Sequence, residues 1–343
     1  MPAPQIRPYL LNIFLLLVAI VLSVAIGSVT IPPLTFFRIL LAEFPGIVTG
    51  HPWPETFSTI IWQIRLPHTL LVLVTGAALA GSGAAYQGLF RNPLADPYLI
   101  GVASGAGLGA ILAMVIHWPT SFLGYYAIPA AAFFGALFTV MIVYSLSRIG
   151  QSLPTTTLIL AGVAVSAFAT ALTSFLMLRS TSEIRRAISW LLGGGILSGW
   201  KPLVAVLPYI VIGLAILIFS GHILNVLQFG EEQAQQLGIR VNRAKTILIL
   251  SASLTTAAAV AFSGLIGFIG LIVPHLVRLF WGPDYRRVIP LSILFGGSAL
   301  LLADMIARVL LAPQVLPVGI VTALAGAPFF LWVLRRTRAQ SIW

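Results

Sequence analysis

Residues 97–147 read PYLIGVASGAGLGAILAMVIHWPTSFLGYYAIPAAAFFGALFTVMIVYSLS; none of these 51 positions between Asp96 and Arg148 is Asp, Glu, Lys or Arg. A helix needs about 20 apolar residues to cross a bilayer core, so the run has the length of two crossings and a turn. The pattern recurs: residues 8–37, 66–90, 149–178, 202–230, 246–277 and 309–334 are equally free of charge. Inside lipid the backbone must satisfy its own hydrogen bonds, which makes such runs helices. The expected fold is all-α and polytopic, one transmembrane domain over residues 1–343.

Composition agrees. The chain is 59% hydrophobic and 8% charged, where soluble domains carry about 25% charged residues. Its 31 Gly and 22 Pro, in so apolar a setting, point to close helix packing and broken helices. It has no cysteine, which excludes disulfides, thiolate metal sites and iron–sulfur ligation. The net charge of +11 is not gathered in a polar domain, as nucleic-acid binding would need. The charges stand at the ends of apolar runs, so a lipid bilayer is the expected partner. The first run, Leu10 to Ile31, exceeds the ~7–15 residues of a signal-peptide core and reads as a retained span.

About ten crossings are expected, near 10–31, 62–86, 94–113, 122–147, 154–178, 190–220, 244–263, 266–281, 288–308 and 315–335. His117-Trp118-Pro119 marks a turn inside the longest run, and the stretch Ser263 to Pro274 breaks another. With the start inside, Arg7, Arg91, Arg148, Arg240, Arg243, Lys245, Arg278, Arg286, Arg287, Arg335, Arg336 and Arg338 are cytoplasmic, twelve of 19 basic residues. Arg38, Arg65, Arg179, Arg185, Arg186, Lys201 and Arg308 fall outside. This bias places both termini inside. Residues 77–83, AALAGSG, resemble 258–264, AAVAFSG, at an offset of 181 that also maps Pro93 onto Pro274. With the two copies running in opposite directions, this reads as an inverted repeat of the kind transporters use; chance likeness of small-residue helices is the alternative.

Three segments stand out. Phe229 to Lys245 is the most polar, and Glu231 to Leu237 fits two helical turns closed by Gly238. Such a helix could dock a soluble partner or be a plain solvated loop. Gln87 to Gly107 carries Pro93 and Pro97, with Asn92 and Asp96 suited to hold a turn. Trp190 to Trp200 sets four glycines, Gly193 to Gly195 and Gly199, between two interface anchors.

Together these residues resemble the FecCD-type permease subunits of ABC importers for ferric siderophores, haem and cobalamin. The resemblance runs from about Ile61 to Arg336. It rests on Ile64-Arg-Leu-Pro67, on Gly88 to Pro97 (GLFRNPLADP), on Leu160-Ala-Gly162 and on Gly230-Glu-Glu to Leu237-Gly238. Gly267 to Arg278 (GFIGLIVPHLVR) and Leu316 to Phe330 complete it. The resemblance implies ten helices per subunit and a dimer of permeases, either a homodimer with an identical second chain or a pseudo-dimer of two different ones. It also implies two cytoplasmic ABC ATPase subunits, an external solute-binding protein and location in the cytoplasmic membrane of a prokaryote. It implies that Glu231, Glu232, Ala234, Leu237 and Gly238 couple to the ATPase, and that Thr155 and Thr156 form the cytoplasmic gate. Arg65, His68 and Arg308 match the positions that dock the binding protein, although His68 stands where a permanently charged residue is usual. A bland role for Arg308 is an i,i+4 pair with Asp304.

The chain has no G-x-x-x-x-G-K-[ST], so ATP and its magnesium belong to a partner and the permease is expected to be no enzyme. No cofactor is expected, and the five histidines lack the spacing of a metal site. A proton-coupled transporter would need intramembrane ionisable groups, for which Asp304 and His275 are the candidates. A hydrolase built on Ser82 and His275 has no spacing to support it. Ferric siderophore is the first expectation for the cargo, then cobalamin, then haem.

Overall fold

The computed structural model describes residues 6–27, 29–43, 53–116, 124–150, 152–180, 183–195 and 199–340. Among them no strand forms. The turn expected at His117-Trp118-Pro119 lies outside the described residues. The first half of the chain comprises α1 (Ile6–Ala25), α2 (Pro33–Ala42), α3 (Glu55–Thr59), α4 (Leu66–Phe90), α5 (Val102–Val115), α6 (Ala127–Ser147) and α7 (Thr155–Arg179). The second comprises α8 (Ile184–Leu191), α9 (Trp200–Phe219), α10 (Gly221–Leu227), α11 (Glu231–Gln236), α12 (Val241–Ser263), α13 (Ile269–Trp281), α14 (Tyr285–Val309) and α15 (Val318–Gln340). A π-helical turn, Ile60–Arg65, joins α3 to α4, making one rod from Glu55 to Phe90.

Seven of these helices are long and apolar enough to span a bilayer: α1, the Glu55–Phe90 rod, α6, α7, α9, α12 and α14. The other three expected crossings fall on the shorter apolar helices Val102–Val115, Ile269–Trp281 and Val318–Val333. One expected span, 190–220, is two helices, because Gly193 and Gly199 adopt positive φ between α8 and α9. Breakers set the other ends. Arg91, in the left-handed region, closes α4, and Gly264 closes α12. Asn92 accepts from the Leu94 N–H at 2.9 Å and Asp96 from the Tyr98 N–H at 2.8 Å, holding the turn before α5.

The core is α4, α12 and α14, with the other spans around them. Small residues let the backbones close: a Cβ on Gly296 of α14 would fall 2.6 Å from the carbonyl oxygen of Gly76 on α4. Polar side chains tie α4 to the second half. The Tyr86 hydroxyl lies 2.7 Å from Ser253 Oγ, and Gln87 Nε2 donates to the Leu271 carbonyl at 3.1 Å. In contrast, α7 shows most of its surface, including Leu160, Val163, Phe168, Phe175 and Leu178. Such a face suits lipid or a second subunit.

The halves share an order of long, short, long: α4, α5, α6 and α12, α13, α14, each followed by one further apolar helix, α7 and α15. The packing is reciprocal, since α4 lies on α14 and α12 on α6. The residue match at offset 181 is less faithful. Gly83 lies inside α4 whereas Gly264 ends α12, and Pro93 lies in a turn whereas Pro274 lies inside α13. The likeness resides in element order and packing more than in that alignment.

Candidate functional site

Two ends of the bundle carry the residues that sequence singled out. At one end stands α11. Gly230 (φ 118°) starts it and Gly238 (φ 83°) follows it, both in backbone regions that favour glycine. Ala234 is fully buried against the bundle, whereas Glu232, Leu237 and Gly238 face outward, Leu237 with 68% of its surface exposed. Glu231 turns back and accepts from Lys245 Nζ at 2.5 Å. The same ammonium donates to the Leu153 carbonyl at 2.9 Å. Leu153 precedes Pro154, after which α7 begins with Thr155 and Thr156; Thr155 is half-buried and Thr156 exposed. Sequence reading named the two ends of this chain of contacts but missed Lys245, whose partners lie 14 and 92 residues away.

Other contacts gather at the same end. Gln228 Nε2 donates to the Gly88 carbonyl at 2.9 Å, and Asn225 Nδ2 donates to Asp284 at 2.6 Å. Tyr9, in the first turn of α1, lies within electrostatic reach of Asp284 and Arg287. Arg91, Lys245, Arg286 and Arg287, all expected on one side, therefore share one end of the bundle with the start of α1.

The opposite end, where α1 finishes, holds Arg65, His68 and Arg308. Arg65 is buried, and its guanidinium donates to the carbonyls of Val24 (2.6 Å), Ala25 (3.1 Å) and Val29. Arg308 donates to Asp304 at 2.8 Å, to the carbonyls of Ile26 and Ser23 at 3.1 Å each, and to Ser23 Oγ. His68 Nε2 lies 3.1 Å from Asp304 Oδ1. The structure thus brings the three expected docking residues together, yet turns both arginines onto the last turn of α1. There they satisfy carbonyls that have no helical partner and sit at the negative end of the helix dipole. With two arginines and one aspartate the cluster keeps one net positive charge when His68 is neutral. The i,i+4 pair of Asp304 and Arg308, suggested as the bland role, is formed.

A third locus lies between the halves. Trp190 to Gly195 is stitched to the α12–α13 link: the Gly195 N–H donates to the Ser263 carbonyl at 3.1 Å. The Gly319 N–H donates to the Leu192 carbonyl at 3.0 Å. These glycines let three backbones meet, so they are packed rather than loose.

Residues 15–336 match the FecCD transport family. The chain belongs to that family. It is 45% identical over 313 residues to the cobalamin import system permease BtuC of Halobacterium salinarum, covering 87% of this chain and 83% of the relative. It is 40% identical over 344 residues to the hemin transport system permease HmuU of Yersinia pestis, covering 98% of each. A solved structure described as an inward-facing metal-chelate type ABC transporter superposes with a TM-score of 0.79 at 30% identity, covering 96% of this chain and 98% of that one. This FecCD chain is accordingly a multi-pass permease subunit rather than an enzyme, and ATPase activity lies in a separate partner.

Proposed function

We propose that this permease translocates a metal chelate (a ferric siderophore, cobalamin or haem) through the cytoplasmic membrane, inward, in a binding-protein-dependent ABC importer. The observation that carries the reading is α11, a helix whose buried Ala234 anchors it while Glu232, and Leu237 and Gly238 just after it, are exposed. We assign those residues and Glu231 to contact with a cytoplasmic ABC ATPase dimer. The gathering of basic residues at the α11 end supports placing that end, with both termini, in the cytoplasm.

The opposite end then meets an external solute-binding protein. Arg65, His68 and Arg308 act there as a fixed cluster whose net positive charge attracts an acidic partner. Thr155 and Thr156 gate the inner end of the path, in a dimer with a second copy of this chain. ATP shifts the access of the path only through its different affinity for the two states.

The named relatives supply the cargo candidates, cobalamin and hemin, beside the siderophore expected from sequence. A proton-coupled mechanism loses support because Asp304, its main candidate, is held between Arg308 and His68. The test is ATP hydrolysis and uptake in proteoliposomes holding the permease and its ATPase, with binding protein loaded separately with ferric siderophore, cobalamin or haem. Stimulation and uptake with one cargo support the reading and name the cargo. Uptake that follows a proton gradient without ATP overturns it.

A further inference from the structure

Lys245 lies near the start of α12 and keeps only 3% of its surface exposed. It is one of two lysines in the chain. An ammonium so buried is tolerated only where its partners stay in place, and losing one leaves an uncompensated charge. Those partners belong to two separate segments: Glu231 at the start of α11 and the carbonyl of Leu153 in the loop between α6 and α7.

The described residues of that loop are pinned at both ends. The Ile149 N–H donates to the Ser152 carbonyl at 3.1 Å, and the Ser152 N–H returns a bond at 3.0 Å. Ser147 Oγ, at the end of α6, donates to the Thr157 carbonyl in the first turn of α7 at 3.4 Å. Leu153 is buried, and Pro154 fixes the direction in which the chain enters α7. Moving the Leu153 carbonyl therefore moves the first turn of α7, where Thr155 and Thr156 stand.

We infer that Lys245 is the positioning residue that links α11 to the first turn of α7, so that movement of the ATPase-facing helix displaces Thr155 and Thr156. This rests on the assignment above of α11 to the ATPase and of Thr155 and Thr156 to the gate. Glu231 cannot move with the ATPase without drawing Lys245 along or stranding its charge, and Leu153 is bound to the same ammonium.

The chain has no native thiol, so Thr156→Cys supplies a unique probe. Its labelling by a membrane-impermeant maleimide is measured from the cytoplasmic side in proteoliposomes with the partner ATPase, without nucleotide and with ATP plus vanadate. With Lys245 intact, nucleotide is expected to change the labelling rate about tenfold, the size of a typical allosteric coupling. Lys245→Met should abolish that change while the ATPase still copurifies and hydrolyses ATP. Lys245→Arg should retain most of it, and Glu231→Gln, which weakens the far end of the link, should fall between. A Lys245→Met complex with the full response overturns the linkage, as does one that loses the response only because the ATPase no longer copurifies. Should no ATPase bind the Lys245 protein itself, the importer reading fails, a result distinct from failure of the linkage alone.

Discussion

Arg308 donates from Nε to Asp304 at 2.8 Å, one helical turn apart on α14, and its other nitrogens hold the carbonyls of Ser23 and Ile26 where α1 ends. Asp304 is the carboxylate that balances this knot, since Arg65 and Arg308 both flank Gly27. Asp304→Asn should therefore destabilise more than an ordinary surface change. Removing one partner of a buried pair costs about 3–5 kcal/mol. Thermal unfolding in detergent should show a clear drop in midpoint, larger than that of Arg286→Gln, whose guanidinium is exposed.

Gly76 and Gly296 set the separation of α4 and α14. A side chain at Gly76 would collide with the Gly296 carbonyl, and backbone cannot yield as a flexible side chain can. Gly76→Val should cost about 1–3 kcal/mol of stability, in line with other overpacked cores. Expression and monodispersity in detergent should fall together. Gly282→Ala, with no atom near its would-be Cβ but a φ of 88°, should show backbone strain alone.

The hydroxyl of Tyr86 bridges α4 to Ser253 and to the Ile249 carbonyl on α12. Tyr86→Phe removes the hydroxyl and keeps the ring, so the loss should be about 1 kcal/mol. Because the two share one bond, Tyr86→Phe and Ser253→Ala should be less than additive in a double-mutant cycle.

Asp284 caps α14 and accepts from the Arg286 N–H at 3.0 Å. Partial burial pushes its carboxyl upward, but bonds from Arg286 and Asn225 outweigh this and hold it below its ordinary 3.8. A carboxylate depressed on folding stabilises above its unfolded value and loses that contribution as pH falls through the folded one. Stability should thus decline below about pH 4 by an amount that Asp284→Asn no longer shows. Asp284→Ala should cost about 1 kcal/mol at neutral pH, the usual worth of an N-cap. Thermal scans from pH 3 to 7 check both.

The crossings were legible because a charge-free run is a one-dimensional signal. Which face of each helix is buried was not, because lipid and protein interior are equally apolar and the pattern carries no contrast. The grouping of Arg65, His68 and Arg308 came from resemblance. Their use as a cap on α1 did not, since Arg65 reaches carbonyls some 36 to 41 residues earlier through a π-turn that no spacing rule announces. Gly238 marked the end of the α11 turn in advance. The role of Lys245 stayed hidden because a lone lysine beside a polar loop reads as solvated.

At α11, burial separates the proposed anchor from the proposed contact. Ala234, inside the helix, is packed away, whereas Leu237, at its C-terminal cap, is exposed. Leu237→Asp should leave unfolding in detergent unchanged, because the side chain touches solvent. It should weaken association with the ATPase at least about tenfold, as charge placed in an apolar contact leaves a desolvated group unpaired. Ala234→Glu should instead destabilise the permease itself, forcing a carboxylate into packed space. Copurification with the ATPase and thermal unfolding, measured on both variants, distinguish the two: equal loss of stability would remove Leu237 from the docking surface.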